Sequence, residues 1–372
     1  MSNTHQKGQV FIEKEFRSSI ATLLESHQVK RFMLVCGSSF HKQQLAAIIK
    51  SLPISHVLFS EYSPNPKYEE IVKGVELFKQ EHCDFIIAAG GGSTMDTAKC
   101  IKLFSTLDSS SLYITQEFKE NNIPLLAIPT TAGSGSESTR YAVLYYQGEK
   151  YSMTHNSIIP SYVVLDPTVL ETLPLYQKKA SMLDALTQAI ESWWSVNSTD
   201  ESKTYAKKAI DLIITHLNDY LANTWAGNQG MLIASNWAGK AINISQTTAA
   251  HAMSYMLTST FKIAHGHAVA IGLPFLWSYM CENLDKCIDP RGRDYVKYEF
   301  YAIAHALNTS TPQEAINSLK ALLRNIEISA PSCNDDKVLE TLIYSVNLER
   351  LKNNPIALDA EAIASIYRKI LS

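Results

Sequence analysis

The sequence predicts an α/β domain built on a doubly wound parallel sheet, followed by an all-α domain. In the first half of the 372-residue chain, short apolar runs alternate with segments of helical period, a pattern typical of parallel strands joined by helices. After Leu173-Pro174 the strand pattern stops, and helical periodicity continues to the C-terminus. We therefore expect a Rossmann-like first domain over residues 1–170 and a helical second domain over residues 171–372.

Five apolar runs predict the strands of the first domain, at residues 31–37, 56–62, 84–92, 124–131 and 162–167. Helices are predicted at 41–52, after the two prolines that open the segment 64–83, and at 93–104, and a hairpin is predicted at Gln147-Gly148. Right-handed crossovers would bring the carboxyl ends of the strands to one edge of the sheet. In the second domain the predicted helices are 176–196, 200–223, 230–258, 266–284, 295–308, 312–326, 336–347 and 359–371.

Composition and charge argue against several classes of protein. The formal net charge is −3, so the chain lacks the basic footprint of a protein that binds nucleic acid or an anionic membrane. No run of about 18 uncharged apolar residues is present, and the N-terminus MSNTHQKGQV lacks the apolar core of a signal peptide. The six cysteines form no CxxC pair, which predicts a reduced, cytoplasmic protein without a zinc–thiolate site.

Two loops at the predicted sheet edge are typical of a dinucleotide site. Gly90-Gly91-Gly92-Ser93 follows a buried strand and precedes a helix that Ser93 or Thr94 can cap. Glycine lets backbone N–H groups approach a phosphate, and the helix N-terminus adds the positive end of its dipole. The loop 129–137 is small and hydroxylic and would supply further donors. A tight turn and a flexible surface loop are the alternative interpretations, since neither loop has the GxGxxG fingerprint.

One carboxylate and two imidazoles in the second half form a candidate metal site. Asp184 lies on a predicted helix, and His251 and His265 lie in one short stretch downstream. Such ligands suit Fe²⁺ or Zn²⁺ better than Mg²⁺ or Ca²⁺. Spacing alone leaves open the alternative of a capping aspartate and structural histidines. His155 and His267 are interpreted as ordinary, partly buried histidines.

Six sequence blocks resemble the iron-containing, or group III, alcohol dehydrogenase family. The blocks are GGGSTMDTAK (90–99), IPTTAGSGSEST (128–139), LDPTVLETLP (165–174), DALTQAIESW (184–193), HAMSYMLTSTFKIAHGHAVAIGLP (251–274) and NNPIAL (353–358). The resemblance implies a dehydroquinate synthase-like architecture, with an N-terminal dinucleotide-binding domain, an all-helical metal-binding catalytic domain and a metal in the cleft. It also implies a homo-oligomer, a dimer or larger.

The resemblance places the metal ligands on Asp184, Gln188, His251 and His265, and together with Tyr255 it implies the catalytic residues Asp184, His251, His265 and Tyr255. Gln188 stands where the family usually has a histidine, and an amide oxygen is a poor ligand for a borderline metal. Tyr255 stands where the family often has a histidine near the nicotinamide. We therefore expect a different proton relay, through Tyr255, a cofactor ribose hydroxyl or water.

The resemblance also implies a nicotinamide cofactor and its contacts. Gly37 and two serines stand where NAD-preferring relatives carry an aspartate, and the absence of that carboxylate favours NADPH over NADH. The pyrophosphate would lie on the glycine loop, and polar side chains would line the nicotinamide end. The predicted cofactor-binding residues are Gly37, Ser38, Ser39, Asn65, Gly91, Gly92, Ser93, Asp96, Thr130, Thr131 and Ser134.

The implied reaction is the metal-assisted reduction of an aldehyde to a primary alcohol by NAD(P)H. Segments such as SPNPKYEEIVKGVELF resemble the phosphonoacetaldehyde reductase subgroup, whose product is 2-hydroxyethylphosphonate. Arg140, Lys150 or Lys262 would then meet the phosphonate, whereas a pocket lined by Trp193 and Trp194 would suit a plain short-chain aldehyde. Three alternatives stay open: a general aldehyde or butanol-type reductase, a dehydroquinate synthase-like lyase, and a non-catalytic binding protein that has lost its metal.

Overall fold

The computed structural model describes residues 9–11, 16–38, 40, 43–346 and 351–372 of the chain. It divides into two compact units, Met1–Leu173 and Pro174–Ser372. Every strand of the described residues lies in the first unit, and the second unit is helical. The predicted fold class, a parallel-sheet domain followed by an α-helical region, is confirmed.

The first unit is built on a parallel sheet. In chain order its strands are β1 (Gln9–Phe11), β2 (Arg31–Cys36), β3 (Ser55–Phe59), β4 (Phe85–Gly90), β5 (Leu125–Pro129), β6 (Tyr141–Tyr146), β7 (Glu149–Thr154) and β8 (Tyr162–Val164). Six of them pair in the order β1-β8-β5-β4-β2-β3, all parallel, while β6 and β7 form a separate antiparallel hairpin. Because the sheet is parallel, the segments that follow β2, β4 and β5 leave it at one edge.

The helices of the first unit are α1 (Phe16–Ser26), α2 (Gln44–Lys50), α3 (Tyr68–Gln80) and α4 (Gly92–Phe104). Every residue of β4 and β5 is buried, as expected for uninterrupted apolar strands at the centre of a parallel sheet. The β6–β7 hairpin turns at Gln147 and Gly148, where both φ angles are positive, as a two-residue hairpin loop requires.

Two elements of the first unit were not predicted from the sequence. β1 pairs with β8 at the edge of the sheet, and α1 precedes β2. A strand of three residues is too short to show a periodicity of its own. Its partner is supplied by a segment far along the chain, so local sequence carries no signal for it.

The second unit is packed around a central helix, α5 (Leu175–Trp194). Every residue of α5 from Met182 to Trp194 is buried. The other helices are α6 (Asp200–Leu221), α7 (Trp225–Ser245), α8 (Ala249–Phe261), α9 (His265–Glu282), α10 (Arg293–Ala306), α11 (Pro312–Asn325), α12 (Asp336–Tyr344) and α13 (Ala360–Leu371). Among them, α6, α7, α9 and α10 pack against α5.

The prediction of one helix over residues 230–258 is wrong, because the structure has two helices there, α7 and α8. Gln246 follows α7 with φ 62° and ψ 170°, which ends the helix. The Thr248 hydroxyl bonds Trp194 and Glu191 on α5 instead of capping α8. These tertiary contacts interrupt an apolar pattern that is continuous in the sequence, and the break places His251 in the first turn of α8.

None of the helices within the described ranges is long and apolar enough to cross a membrane. This agrees with the sequence, which contains no sufficiently long apolar run.

Candidate functional site

Three side chains from separate helices of the second unit converge on one point. Asp184 comes from the middle of α5, His251 from the first turn of α8, and His265 is the first residue of α9. One ligand atom from each lies within 4.8 Å of the other two, and His251 Nε2 is 3.3 Å from Asp184 Oδ1. Asp184 and His251 are buried and His265 is half-buried. We term these three residues the metal cluster.

The close approach of α9 to α5 depends on Gly266. A Cβ atom at this position would lie 2.0 Å from the Ala180 carbonyl oxygen and 2.8 Å from Asp184 Cβ. Both atoms belong to α5, so glycine is the residue that allows His265 to come this near Asp184. In the His-Gly pair, His265 is thus the candidate ligand, and Gly266 leaves the room that α9 needs to approach α5.

Glu191 holds His251 in place, and the sequence analysis missed it. Its carboxylate is fully buried and accepts hydrogen bonds from the Thr248 hydroxyl and the Ala250 N–H, both at 2.7 Å, and from His251 Nδ1. Because the Nδ1 proton is committed to Glu191, His251 presents Nε2 to Asp184. Such a carboxylate partner is typical of histidines that bind metals. A signal was present, since Glu191 lies on the same face of α5 as Asp184.

The metal cluster concentrates negative charge that needs a positive partner. Burial disfavours the imidazolium, but the carboxylates of Glu191 and Asp184 outweigh this effect and raise the pKa of His251 to about 9. Burial also opposes ionisation of Asp184, yet its hydrogen bond to His251 and the neighbouring His265 lower its pKa. A buried, ionised carboxylate such as Asp184 is stable only beside a proton on His251 or a bound cation.

Gln188 lies one turn after Asp184 on α5. Its side chain hydrogen-bonds the Asp184 carboxylate and contributes to lowering the pKa of that group. The Gln188 Oε1 atom is buried and has no hydrogen-bond partner among the residues that the structure describes. Buried acceptors are nearly always satisfied. An unpartnered oxygen on a side chain that bonds the Asp184 carboxylate therefore fits a site that takes a divalent metal.

Tyr255 and Ser254 brace His265 from α8. The rings of Tyr255 and His265 are parallel to within 6°, with their centroids 5.8 Å apart, and Tyr255 is half-buried. The Ser254 hydroxyl donates to the His251 carbonyl at 2.8 Å and lies 3.5 Å from His265 Nδ1. One helix thus carries a member of the metal cluster and steadies another.

His267 has a structural role, as the sequence analysis interpreted it. Its Nε2 donates to the Ser329 carbonyl at 2.9 Å, so its Nδ1 accepts from the Tyr176 hydroxyl at 3.0 Å. The Tyr176 oxygen in turn accepts from the Ala264 N–H at 2.9 Å. Burial lowers the pKa of His267, which favours this neutral form. The chain of bonds fixes the residue that precedes His265.

Three other side chains singled out from the sequence are engaged elsewhere. His155 Nδ1 accepts from the Ser157 N–H at 3.2 Å and caps a short 3₁₀ turn. The alternative of a pocket lined by Trp193 and Trp194 finds no support in the position of these two side chains. They are 8% and 2% exposed, and both indole N–H groups donate to partners inside the second unit. They belong to the core because α5 is surrounded by other helices.

In the first unit, the glycines after β4 lie against the hydroxyl side chains after β5. β5 leads into Thr130, whose N–H donates to the last carbonyl of β4 at 3.0 Å. A Cβ atom on Gly91 would lie 3.3 Å from Thr131 Oγ1, and one on Gly92 would lie 3.5 Å from Ser134 Cβ. We term the segments that follow β2, β4 and β5 the cofactor edge.

α4 begins at Gly92 with Gly91 at its N-cap, and its N-cap residue makes no side-chain cap hydrogen bond. The predicted cap by Ser93 or Thr94 is therefore wrong, since both residues lie inside the helix. The Ser93 hydroxyl accepts from the Asn65 N–H at 3.4 Å, which ties two predicted cofactor residues together. A helix start whose N–H groups have no side-chain cap can receive an anion.

The segment after β2 is more open. Gly37 is half-buried and Ser38 is exposed, while Ser39 lies outside the described residues. A Cβ atom on Gly37 would lie 3.7 Å from the Tyr62 hydroxyl, which itself is 2.7 Å from Thr94 Oγ1. Tyr62 therefore lies next to Gly37, one of the predicted cofactor-binding residues.

A buried lysine ties the hydroxyl-rich loop to α4. Lys99 Nζ donates to Ser136 Oγ and Thr139 Oγ1, both at 3.0 Å, and to the Tyr141 carbonyl at 2.9 Å. Asp96, half-buried on the same helix, lies 3.4 Å from Ser136 Oγ. Burial raises the pKa of Asp96 to about 6 and lowers that of Lys99 to about 8, although each charge opposes the shift of the other. Asp96 thus helps to anchor the loop.

The three cations considered for a substrate anion lie in different places. Arg140 and Lys150 belong to the first unit, and the Arg140 guanidinium lies 5.4 Å from the centre of the Tyr141 ring. Lys262 belongs to the second unit, where it ends α8 with φ 53° and an exposed side chain. Lys262 is therefore the cation nearest in sequence to the metal cluster.

The chain matches two family models. One, iron-containing alcohol dehydrogenase, covers residues 8–167, and the other, Fe-containing alcohol dehydrogenase family, C-terminal, covers residues 178–371. The choline dehydrogenase of Bacillus subtilis (strain 168) is 30% identical over 365 residues, which are 92% of this chain and 88% of that protein. The NADPH-dependent butanol dehydrogenase of Clostridium saccharobutylicum is 29% identical over 315 residues, 82% of this chain and 79% of that protein.

A solved structure extends the likeness to the fold. The sulfoacetaldehyde reductase from Bifidobacterium kashiwanohense in complex with NAD⁺ has a TM-score of 0.88 and 23% identity to this chain, and the match covers 100% of this chain and 99% of the other. The likeness at this level of identity concerns the fold. Given the two matching family models, the chain belongs to the iron-containing alcohol dehydrogenase family.

Proposed function

We propose that this protein reduces phosphonoacetaldehyde to 2-hydroxyethylphosphonate, with NADPH as hydride donor and one divalent metal. The family activity is that of an oxidoreductase, an iron-type alcohol dehydrogenase or aldehyde reductase that uses NAD(P)H. The observation that carries the proposal is the buried metal cluster of Asp184, His251 and His265 beside an orphaned amide oxygen.

The second unit is assigned the metal and the proton. Asp184, Gln188, His251 and His265 would hold the ion, which when bound supplies Lewis-acid chemistry at the aldehyde oxygen. Glu191 keeps the His251 ring in the orientation that presents Nε2. The proton that the product oxygen takes up would come through Tyr255 Oη, a cofactor ribose hydroxyl or water.

The first unit is assigned the nicotinamide cofactor, which supplies the hydride. The uncapped start of α4 would receive the pyrophosphate, and the hydroxyl side chains after β5 would face the nicotinamide. The segment after β2 carries no carboxylate at Gly37 or Ser38, so a 2′-phosphate meets no repulsion there. The assigned contacts are Gly37, Ser38, Ser39, Asn65, Gly91, Gly92, Ser93, Asp96, Thr130, Thr131 and Ser134.

Two observations favour an anionic aldehyde. Lys262 is an exposed cation close in sequence to His265, and an ammonium group is a suitable partner for a phosphonate. A protein of the same fold is a sulfoacetaldehyde reductase, and sulfoacetaldehyde is a short aldehyde that carries a sulfonate where the proposed substrate carries a phosphonate.

A general short-chain aldehyde or butanol-type reductase is the second candidate. It is favoured by the likeness to an NADPH-dependent butanol dehydrogenase. It is favoured also by the position of Arg140, whose guanidinium lies against the Tyr141 ring. The lyase alternative is dropped, because the chain belongs to an oxidoreductase family.

The test is a comparison of two aldehydes. The protein is loaded with Fe²⁺ or Zn²⁺, and NADPH oxidation is followed with phosphonoacetaldehyde and with butyraldehyde. We expect kcat/KM to be at least about tenfold higher for the phosphonate. Equal values would refute the phosphonate as the specific substrate, and no turnover of either aldehyde with either metal would refute the reductase itself.

A pair of lysine variants locates the anion. Lys262→Ala should raise KM for phosphonoacetaldehyde and leave KM for butyraldehyde unchanged. Lys297→Ala, which removes an exposed lysine from α10, is the matched control and should change neither. The same rise in KM for both aldehydes would remove Lys262 from the proposal.

A further inference from the structure

Gln188 gives the metal cluster an uncharged oxygen. The residue is 4% exposed and lies within the part of α5 in which every residue is buried. Packing on all sides of α5 fixes its backbone, so the side chain has little freedom to turn away. The metal cluster brings together one carboxylate oxygen and two imidazole nitrogens, and Gln188, which hydrogen-bonds the Asp184 carboxylate, adds a buried amide oxygen that has no hydrogen-bond partner among the described residues.

The orientation of the Gln188 amide is determined by Asp184. An ionised carboxylate accepts hydrogen bonds and donates none, so the Gln188 group that bonds it is the NH₂. Exchanging the two ends of the amide would set two acceptors against each other. Gln188 Oε1 is therefore held as an acceptor without a donor, which is the state that a cation satisfies.

We propose that Gln188 is the residue that sets the metal preference of this protein, shifting it away from Zn²⁺ and toward Mn²⁺. Zn²⁺ is best served by nitrogen and sulfur ligands, whereas carboxylate and carbonyl oxygens suit Mn²⁺ and harder ions. Zn²⁺ binds more tightly than Mn²⁺ or Fe²⁺ to almost any such site. An amide oxygen in place of a nitrogen ligand reduces the difference in affinity between Zn²⁺ and Mn²⁺.

The experiment measures metal binding without substrate, so its outcome is independent of the aldehyde. The protein is stripped with a chelator, and the dissociation constants of Zn²⁺ and Mn²⁺ are measured by competition with a chromophoric chelator. In Gln188→His the ratio of the Mn²⁺ dissociation constant to the Zn²⁺ dissociation constant should rise by at least about tenfold, since exchanging an oxygen ligand for a nitrogen ligand should matter at least as much as losing an outer partner. Zn²⁺ should account for most of the change.

Thr187→Val is the matched control. Thr187 is buried beside Gln188, but its hydroxyl donates to the Leu183 carbonyl at 2.8 Å. This variant should leave the ratio unchanged. An unchanged ratio in Gln188→His would overturn the proposal, whether both metals bind more tightly, more weakly or as before.

Gln188→Ala keeps the proposal testable if Gln188→His does not fold. If Oε1 is a ligand, its loss should weaken Mn²⁺ more than Zn²⁺, and the stabilisation of the protein by each metal, measured as the rise in Tm, should change in the same order. If Gln188 only braces Asp184, both metals should weaken equally, which would overturn the proposal.

Discussion

The metal cluster and the cofactor edge are built from opposite materials. The metal cluster consists of charged and polar side chains from three helices, and His251 is held by the buried carboxylate of Glu191. The cofactor edge consists mainly of backbone, glycine and small hydroxyl residues at the ends of strands. The first region should therefore be sensitive to atoms that are removed, and the second to atoms that are added.

Glycine is needed in both regions, but for different neighbours. At Gly266 an added Cβ would meet a backbone oxygen of α5, which cannot move without moving the helix. At Gly91 it would lie 3.3 Å from Thr131 Oγ1, a side-chain atom that would need to move by only a few tenths of an ångström. Near the metal cluster glycine permits two helices to pack, whereas at the cofactor edge we propose that it leaves space for the cofactor.

The largest expected effect comes from removing a member of the metal cluster. His265→Ala should lose its metal and lower kcat/KM by about a thousandfold or more, since Lewis-acid stabilisation supplies several kcal/mol. Bound metal is measured in the purified protein alongside the rate of NADPH oxidation. His305→Ala, which truncates an exposed histidine on α10, should keep both metal and activity. Full metal retention in His265→Ala would show that His265 is not a ligand.

An intermediate effect separates the two kinds of glycine. Gly266→Ala should lower the free energy of unfolding by about 1–3 kcal/mol, as overpacking does, and weaken metal binding as α9 is pushed from α5. Gly91→Ala should leave stability nearly unchanged and weaken NADPH binding about tenfold. Thermal unfolding of each apo-protein and a fluorescence titration with NADPH measure the two quantities. A variant pair with equal losses of stability would contradict the distinction.

Much of the framework could be predicted from the sequence, because it is carried by local patterns. The alternation of apolar runs predicted the parallel sheet, and the stop after Leu173-Pro174 predicted the change to helices. Asp184, His251 and His265 were singled out by residue type and family resemblance, and the structure brings them together. The residue types that bind metals and the periodicity of apolar residues can both be recognised in a single sequence.

The features that were missed depend on contacts between distant segments. Glu191 shares a face of α5 with Asp184, but its role as the partner of His251 is visible only once Thr248 and His251 are placed beside it. The break between α7 and α8 lies inside a continuous apolar pattern. The sequence around Trp193 is compatible with a core position and with a pocket, and only the bond of its indole to Glu299 on α10 shows that it belongs to the core. Tertiary packing decides these questions, and no local pattern records it.

The smallest expected effect tests whether the cofactor edge also holds a buried charge. Burial raises the pKa of Asp96 from 3.8 to about 6 in the folded chain. Between these two pH values the folded state binds a proton that the unfolded state has released, so Asp96 makes the free energy of unfolding fall as pH rises. Above about pH 6, Asp96 is ionised in both states and its contribution no longer changes with pH. Asp96→Asn should remove this contribution, so the slope of the free energy of unfolding against pH should be more negative in the wild type than in the variant between about pH 4 and pH 6.

Denaturant unfolding of the apo-proteins across this pH range measures the difference between the two curves. The titrations of the metal cluster occur in both proteins and cancel in the difference. Asp285→Asn, which neutralises an exposed carboxyl, should follow the wild-type curve. Parallel curves for wild type and Asp96→Asn would show that Asp96 ionises as in water. The cofactor edge would then hold no buried charge at Asp96, and the contrast with the metal cluster, where buried carboxylates are balanced by imidazoles, would be sharper.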